Sequence, residues 1–327
     1  MTNLSQEPWP LKMARNYPAL YHYTHTESLK ELLKSKSLLA RPIGDFSDTD
    51  EYIHGLKLIQ GELTKTWKNE NNRTRVEHLL RSLYGTIQPD VQQVLGQVLE
   101  NITYEINNIK SPKVKIFVSC LTVDPESEKM RKEYGDCVIS FNFMLPILAY
   151  YPPPPITSSM LSRVSYDDQE FVAGVLDQGF YYEHSENVRR QLSILSPLSS
   201  NARSEAIANW VTERLCLFAP NIKKPKFKKE KEWRLKSAIS LYSSNRDLAR
   251  SPHCPSFFDL PETARFDENG RYLQRLTFCE DKFISRGISC AARNTGDLAA
   301  WVQQWQSQES LPRVDINAIS SRIAMSL

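Results

Sequence analysis

A chain of 327 residues, 41% of them hydrophobic and 24% charged, has an ordinary globular composition and room for one elaborated domain or two smaller ones. That balance excludes disordered and fibrous classes, and no apolar run approaches the roughly 18 residues that a membrane-crossing helix needs. The net charge of +3 does not single out nucleic acid as a partner. The opening "MTNLSQEPWPLKMARNYPAL" lacks the apolar block of a secretory signal. The six cysteines (Cys120, Cys137, Cys216, Cys254, Cys279, Cys290) stand singly, without zinc-ligand spacing. Reduced thiols, no metal, no membrane association and a cytoplasmic location are therefore expected.

In chain order, "YHYT" (Tyr21 to Thr24) reads as a strand. Thr24 to Glu27 forms a T-x-x-E capping box ahead of Leu29, Leu32 and Leu33, so a helix should follow at once. "SLLARP" reads as a second strand ended by Pro42. Apolar residues recur at three and four in "RVEHLLRSL" and "VQQVLGQVLENITYEI", which predicts a helical insertion over 54–110. Strand character returns in "VKIFVSCLTV" (114–123) and "DCVISFNF" (136–143), and "PESEKMRKEYG" between them is a short helix closed by Gly135. "YYPPPPITSS" is a linker or surface loop. "RVSYDDQEF" opens a strand-then-helix unit, and "RSEAIANWVTERLCLF" is an amphipathic helix with Ile207, Trp210, Val211 and Leu215 on one side. The last strands are "EWRLKSAISL" (232–241), "YLQRLTF" (272–278) and "KFISRGISC" (282–290); "GDLAAWVQQWQ" is a helix and 306–327 a loosely held tail. With no β-α-β rhythm and no glycine-rich phosphate loop, one α+β domain over 1–327 is expected in place of a doubly wound sheet.

Three places carry chemistry. Alternation along a strand sets His22 and Thr24 on one face and Tyr21 and Tyr23 on the other: either a ligand floor or an aromatic core strand with a satisfied histidine. In "KFKKEKEWRLKSAI", Glu230, Glu232 and Arg234 share one face of the expected strand, with Trp233 and Leu235 opposite. Such a pair of carboxylates is either a solvated, mutually neutralised surface or, fixed over a core, a device to stabilise positive charge developing in a transition state. Ser119 in "FVSCLT" bonds either backbone or ligand, and Tyr134 before Gly135 either packs or stacks on a planar ligand. From Lys223 to Lys236 there are eight Lys/Arg and two acids: either a solvated loop, or one that steers a pyrophosphate, or a run that draws phosphate backbones, with Phe227 and Trp233 available for stacking.

"LYHYTHTESLKELLKSKSLLARP", "FSDTDEY", "FVSCLT…YGDCVISF", "RVSYDD" and "KFKKEKEWRL" resemble, in order and spacing, a large family of bacterial proteins whose motifs are similar to those of the ADP-ribosyltransferase superfamily. The resemblance covers about residues 20 to 290 apart from the helical insertion. It implies a split antiparallel β-sandwich with peripheral helices, and NAD as substrate without a metal. His22 and Thr24 would contact the ribose and nicotinamide side, and Ser119 or Tyr134 would be the middle element, Tyr134 stacking near the nicotinamide. Glu232 would hydrogen-bond the nicotinamide ribose, and Glu230 would orient or activate the acceptor. Tyr23 replaces the motif's glycine, so its backbone would bond the carboxamide and its side chain point away. The implied function is mono-ADP-ribosyl transfer by a bacterial toxin or phage-defence effector, partnered by an antitoxin. The acceptor would be RNA, met through Lys226, Lys228, Lys229 and Arg234, or a protein. NAD glycohydrolase activity, or a non-enzymatic nucleic-acid or partner-binding module on the same scaffold, are the alternatives.

Overall fold

The computed structural model describes residues 20–35, 37–46, 49–84, 89–135, 137–141, 158–180, 198–240, 264–266, 272–277 and 284–290, with 300, 301 and 304. In chain order these form β1 (Leu20–Thr24), α1 (Thr26–Ser35), β2 (Ser37–Pro42), α2 (Thr49–Lys68), α3 (Glu70–Tyr84), α4 (Val91–Asn107) and β3 (Val114–Thr122). They continue with α5 (Glu128–Tyr134), β4 (Cys137–Phe141), β5 (Ser158–Arg163), α6 (Asp168–Phe180), α7 (Ser200–Phe218), β6 (Glu232–Ser240), β7 (Ala264–Phe266), β8 (Tyr272–Thr277) and β9 (Ile284–Cys290). The class is α+β: helices packed on an open antiparallel sheet. The proline-rich stretch 150–157 and the tail 306–327 lie outside the described residues, as do Cys254 and Cys279; of "GDLAAWVQQWQ" only 300, 301 and 304 are described, all helical.

The sheet forks at β3. One edge of β3 pairs with β6 over nine consecutive positions, from Val114↔Ser240 to Thr122↔Glu232, and β6 then pairs with β5. The other edge is shared. β2 takes Phe117 and Val118 and leads to β8 and β7, whereas β1 takes Thr122 and leads to β4 and β9. Two branches thus leave one strand.

The stretch expected as an insertion over 54–110 contains three helices, and the first begins earlier, at Thr49, inside "FSDTDEY". These helices share the main core with the sheet: Leu56 and Ile59 of α2, Val94 and Val98 of α4 and Leu215 of α7 pack with Ile116 and Val118 of β3. Each such fully buried aliphatic side chain contributes about 1.5–3 kcal/mol. Asp90 caps α4 by accepting from the Gln93 N–H at 3.1 Å, and Ser199 caps α7 by accepting from Ala202 N–H. Helix α1 starts one residue later than the Thr24 capping box implies, with the His25 carbonyl accepting from Leu29 N–H.

Two glycines set close approaches. A Cβ on Gly55 would lie 2.1 Å from the Ala219 carbonyl oxygen, so only glycine lets α2 lie against the 3-10 turn Ala219–Asn221. Gly135, at φ 121°, ends α5 where a Cβ would stand 2.4 Å from the Thr24 carbonyl. Among the described residues, no helix is long and apolar enough to cross a membrane.

Candidate functional site

Strand β6 starts at Glu232, where its sequence implies, so only one of the two glutamates expected on its face lies on it. Pro225 opens a 3-10 segment through Glu230, and Lys231 adopts the left-handed conformation (φ 47°, ψ 44°), so β6 begins only at Glu232. Glu230 is therefore not on the strand face assigned to it. Its carbonyl accepts from Thr122 Oγ at 2.7 Å instead of joining the ladder. The left-handed turn at Lys231 brings both carboxylates back within reach of one ammonium: Lys223 Nζ lies 2.7 Å from Glu230 Oε2 and 3.0 Å from Glu232 Oε2.

Arg234, two residues along β6 and on the same face, donates from Nε to Glu232 Oε1 at 2.7 Å and from a terminal nitrogen to Glu51 Oε2 at 3.1 Å. Its other terminal nitrogen meets the Pro220 carbonyl at 2.5 Å. The guanidinium is 5% exposed, so Arg234 is not part of a nucleic-acid-facing surface as its place in the basic run implies. Desolvating a cation requires paired acceptors, and the two acids and the turn supply them. Lys129 completes the cluster at 2.5 Å from Glu230 Oε1. Three acids (Glu51, Glu230, Glu232) thus face three cations (Lys129, Lys223, Arg234).

Glu232 is 2% exposed. Burial alone would raise its carboxyl, but Arg234 and then Lys223 outweigh that and hold it at about 2. Burial raises Glu51, with Arg234 and Lys223 only partly opposing it. Tyr166, from "RVSYDD", accepts the Glu232 backbone N–H at 3.0 Å, and burial pushes its phenol up. Burial, then the Glu232 charge, pushes the Cys120 thiol well up. Further along β6, Lys236 is fully buried. It donates to Ser162 Oγ at 2.7 Å and to Asn221 Oδ1, and burial with nearby Arg234 pulls it down.

The strands bearing His22, Ser119 and Glu232 are neighbours in the order β1, β3, β6. Their side chains are not all on one face. Register pairs Tyr21 with Thr122 and Thr122 with Glu232, so Tyr21, Tyr23, Cys120 and Thr122 share the face of Glu232 and Arg234. His22, Thr24 and Ser119 fall on the opposite face. This corrects the expectation that His22 and Thr24 face the nucleotide with Tyr21 and Tyr23 behind, because face assignment depends on a register that no single strand encodes.

The β1–β3 ladder ends at Tyr21, where the strands fork. There the His22 ring takes over, with Nδ1 3.0 Å from the Cys120 carbonyl oxygen. A carbonyl only accepts, so the proton sits on Nδ1. Burial lowers the His22 pKa, the Cys120 carbonyl opposing, and the ring is neutral near pH 7. Tyr23 is committed elsewhere: its hydroxyl donates to the Asp124 carbonyl and accepts from Ser127 N–H, both at 2.9 Å. Tyr134 packs beside Tyr21, Tyr23 and Val138, near enough to feel Glu232 and Lys223, and burial raises its phenol. Of the two middle candidates, Tyr134 is thus on the Glu232 side.

Lys226, Lys228 and Lys229 are exposed. Phe227 carries the ammonium groups of Lys129, Lys223 and Lys226 at 4.8, 4.7 and 4.8 Å from its ring centre, joining this basic rim to the buried cluster. Sequence reasoning missed Glu51, Lys129, Lys223 and Tyr166 as site residues. The only signal for Glu51 and Tyr166 was that "FSDTDEY" and "RVSYDD" belong to the ordered set of motifs. Compared with family models, curated proteins and solved structures, the chain matches none.

Proposed function

We propose that the chain is an NAD-dependent mono-ADP-ribosyltransferase of the split antiparallel fold, acting in the cytoplasm as a bacterial toxin or phage-defence effector restrained by an antitoxin. One observation carries the reading. "YHYT", "FSDTDEY", "FVSCLT…YGD", "RVSYDD" and "KFKKEKEWRL", spread over two hundred positions, meet where three strands adjoin, and Glu51, Tyr166, Lys223 and Arg234 gather there about a buried carboxylate kept ionised, with His22, Thr24 and Ser119 on the opposite face. Buried charge is costly, and a concentration of it with displaced pKa values at the meeting of several elements is the physical signature of a candidate functional site.

The chemistry suits that carboxylate. As the C1′–N bond of NAD breaks, its electron pair goes to the nicotinamide nitrogen and the ribose becomes oxocarbenium-like. Ionised Glu232 stabilises that charge, Tyr134 offers a ring for the leaving nicotinamide, and an acceptor nucleophile closes the bond to C1′. The exposed lysines 226, 228 and 229 favour RNA as the acceptor through phosphate contacts, with protein second.

The test is incubation of purified protein with NAD labelled in the ADP-ribose, with RNA, DNA and protein fractions supplied separately. Transfer to RNA that weakens with salt is expected, with a loss of about 100- to 1000-fold in Glu232→Gln. A folded Glu232→Gln variant with near-full activity removes Glu232 from the mechanism. Growth inhibition by the wild type and not by this variant is expected of a toxin.

A second reading has its own support. Both Glu232 oxygens are engaged by Arg234 and Lys223, as in a purely structural cluster under a basic RNA- or partner-binding face. Absence of nicotinamide release with any fraction, alongside salt-dependent RNA binding, selects that reading; release without a labelled macromolecule selects an NAD glycohydrolase.

A further inference from the structure

The three acids of the cluster are not equivalent. Glu232 gives Oε1 to Arg234 Nε and Oε2 to Lys223. Glu230 gives Oε1 to Lys129 and Oε2 to Lys223. Glu51 gives only Oε2, to Arg234; its Oε1 is buried and finds no hydrogen-bond partner among the described residues. Glu51 is 7% exposed, so this is a desolvated acceptor left unsatisfied, an arrangement that costs about 1–3 kcal/mol. Such a cost is tolerated where a bound group satisfies the atom.

Its placement is specific. Glu51 sits in the first turn of α2, one residue from exposed Asp50, and α2 is pressed onto the Ala219–Asn221 turn through Gly55. The groups facing its carboxyl are Arg234, Lys223 and Glu232. Glu51 and Glu232 thus share one guanidinium, one terminal nitrogen of which lies within reach of both.

On the ADP-ribosyl-transfer reading, from which this follows, we infer that Glu51 is the general base of the site: its Oε1 takes the proton of the acceptor O–H or N–H that attacks ribose C1′. The resemblance gives acceptor activation to Glu230, but both of its oxygens already accept from ammonium groups, Oε1 from Lys129 and Oε2 from Lys223, whereas Glu51 Oε1 has no partner among the described residues. The step balances. The nucleophile bonds to C1′, the C1′–N pair leaves with neutral nicotinamide, and the proton of the nucleophile resides on Glu51 until it passes to solvent. Burial lifts Glu51 while Arg234 and Lys223 hold Glu232 down, so of the two carboxylates Glu51 is the readier to take a proton and Glu232 the better counter-charge.

The test compares wild type and Glu51→Gln in nicotinamide release and transfer, with and without azide. Losing a general base costs about 100-fold or more in kcat. Glutamine keeps the hydrogen bond to Arg234, so KM for NAD should stay within about threefold by the same reasoning. Azide has no proton to surrender and needs no base, so it should restore release in the variant while leaving the wild type little changed. Full activity in a folded Glu51→Gln, or a loss that azide does not relieve, overturns the inference. If the glutamine variant loses its native melting transition, Glu51→Asp is used: it keeps the charge on Arg234, draws the carboxylate back by one methylene, and should show the same loss and rescue. Wild type that releases no nicotinamide with any fraction overturns the transferase reading and Glu51's role together. An active wild type with an unaffected Glu51 variant overturns only the latter.

Discussion

Replacing Arg234 with methionine removes the guanidinium shared by Glu232 and Glu51 while retaining much of the side-chain volume. Holding a 2%-exposed carboxyl at about 2, when its ordinary value is 4.5, corresponds to roughly 3 kcal/mol of preference for the ionised native form at about 1.4 kcal/mol per tenfold. Direct removal of one partner from a buried ion pair costs about 3–5 kcal/mol, a similar figure reached independently. Lys223 remains beside Glu232, so the expected loss at pH 7 is about 3 kcal/mol, at the lower end. The sign in acid follows from linkage. The folded carboxyl is depressed, so its contribution is present above 4.5 and disappears as pH falls toward 2. Glu51, raised by burial, acts in the opposite sense: its contribution is present below its ordinary range and is lost as pH rises through its folded value. Wild type should therefore lose stability steeply over the acid window, and Arg234→Met, in which Glu232 is held down less, more gently, so the two curves converge. Denaturant titrations at pH 7, 4 and 3, followed by tryptophan fluorescence and circular dichroism, measure this. A variant within about 1 kcal/mol of wild type at pH 7, the range of an exposed pair, with a parallel pH curve, would refute the coupled cluster.

Gly135→Ala should cost at least about 2 kcal/mol, since it combines left-handed strain with contact against the Thr24 carbonyl; an unchanged melting temperature would contradict the close passage of α5 past β1. Cys120 should resist iodoacetamide at pH 8 in the native protein and react once urea unfolds it, because burial and Glu232 keep its thiol protonated. Peptide mapping that finds Cys120 alkylated as fast natively as in urea would contradict that environment.

Much of the architecture is local in origin and so was open to sequence reading. "SLLARP" ends at Pro42 as β2, Gly135 closes α5, and the alternation in "EWRLKSAIS" sets Glu232 and Arg234 on one face of β6 with Trp233 and Leu235 on the other. Propensity, proline and glycine chemistry and period-two alternation act within a few residues, and one sequence suffices for them. Where a local feature was overridden the cause is visible: Glu230 left the strand because Pro225 and a left-handed Lys231 fold it into a turn.

The sequence by itself determined the α+β class, the order of the motif strands along the chain and the chemical types at their ends. Tertiary structure alone decided the rest. Which face His22 takes relative to Glu232 depends on the pairing of Tyr21 with Thr122, a long-range register that flips with a one-residue slip. That Arg234 is an internal counter-ion, outwardly one more cation in a basic run, depends on Glu51, 183 positions away, being carried to it by a helix that packs on the Ala219 turn. Burial is a property of the assembled chain, and burial beside Arg234 and Lys223 moves Glu51 and Glu232 in opposite directions from the ordinary carboxylate value.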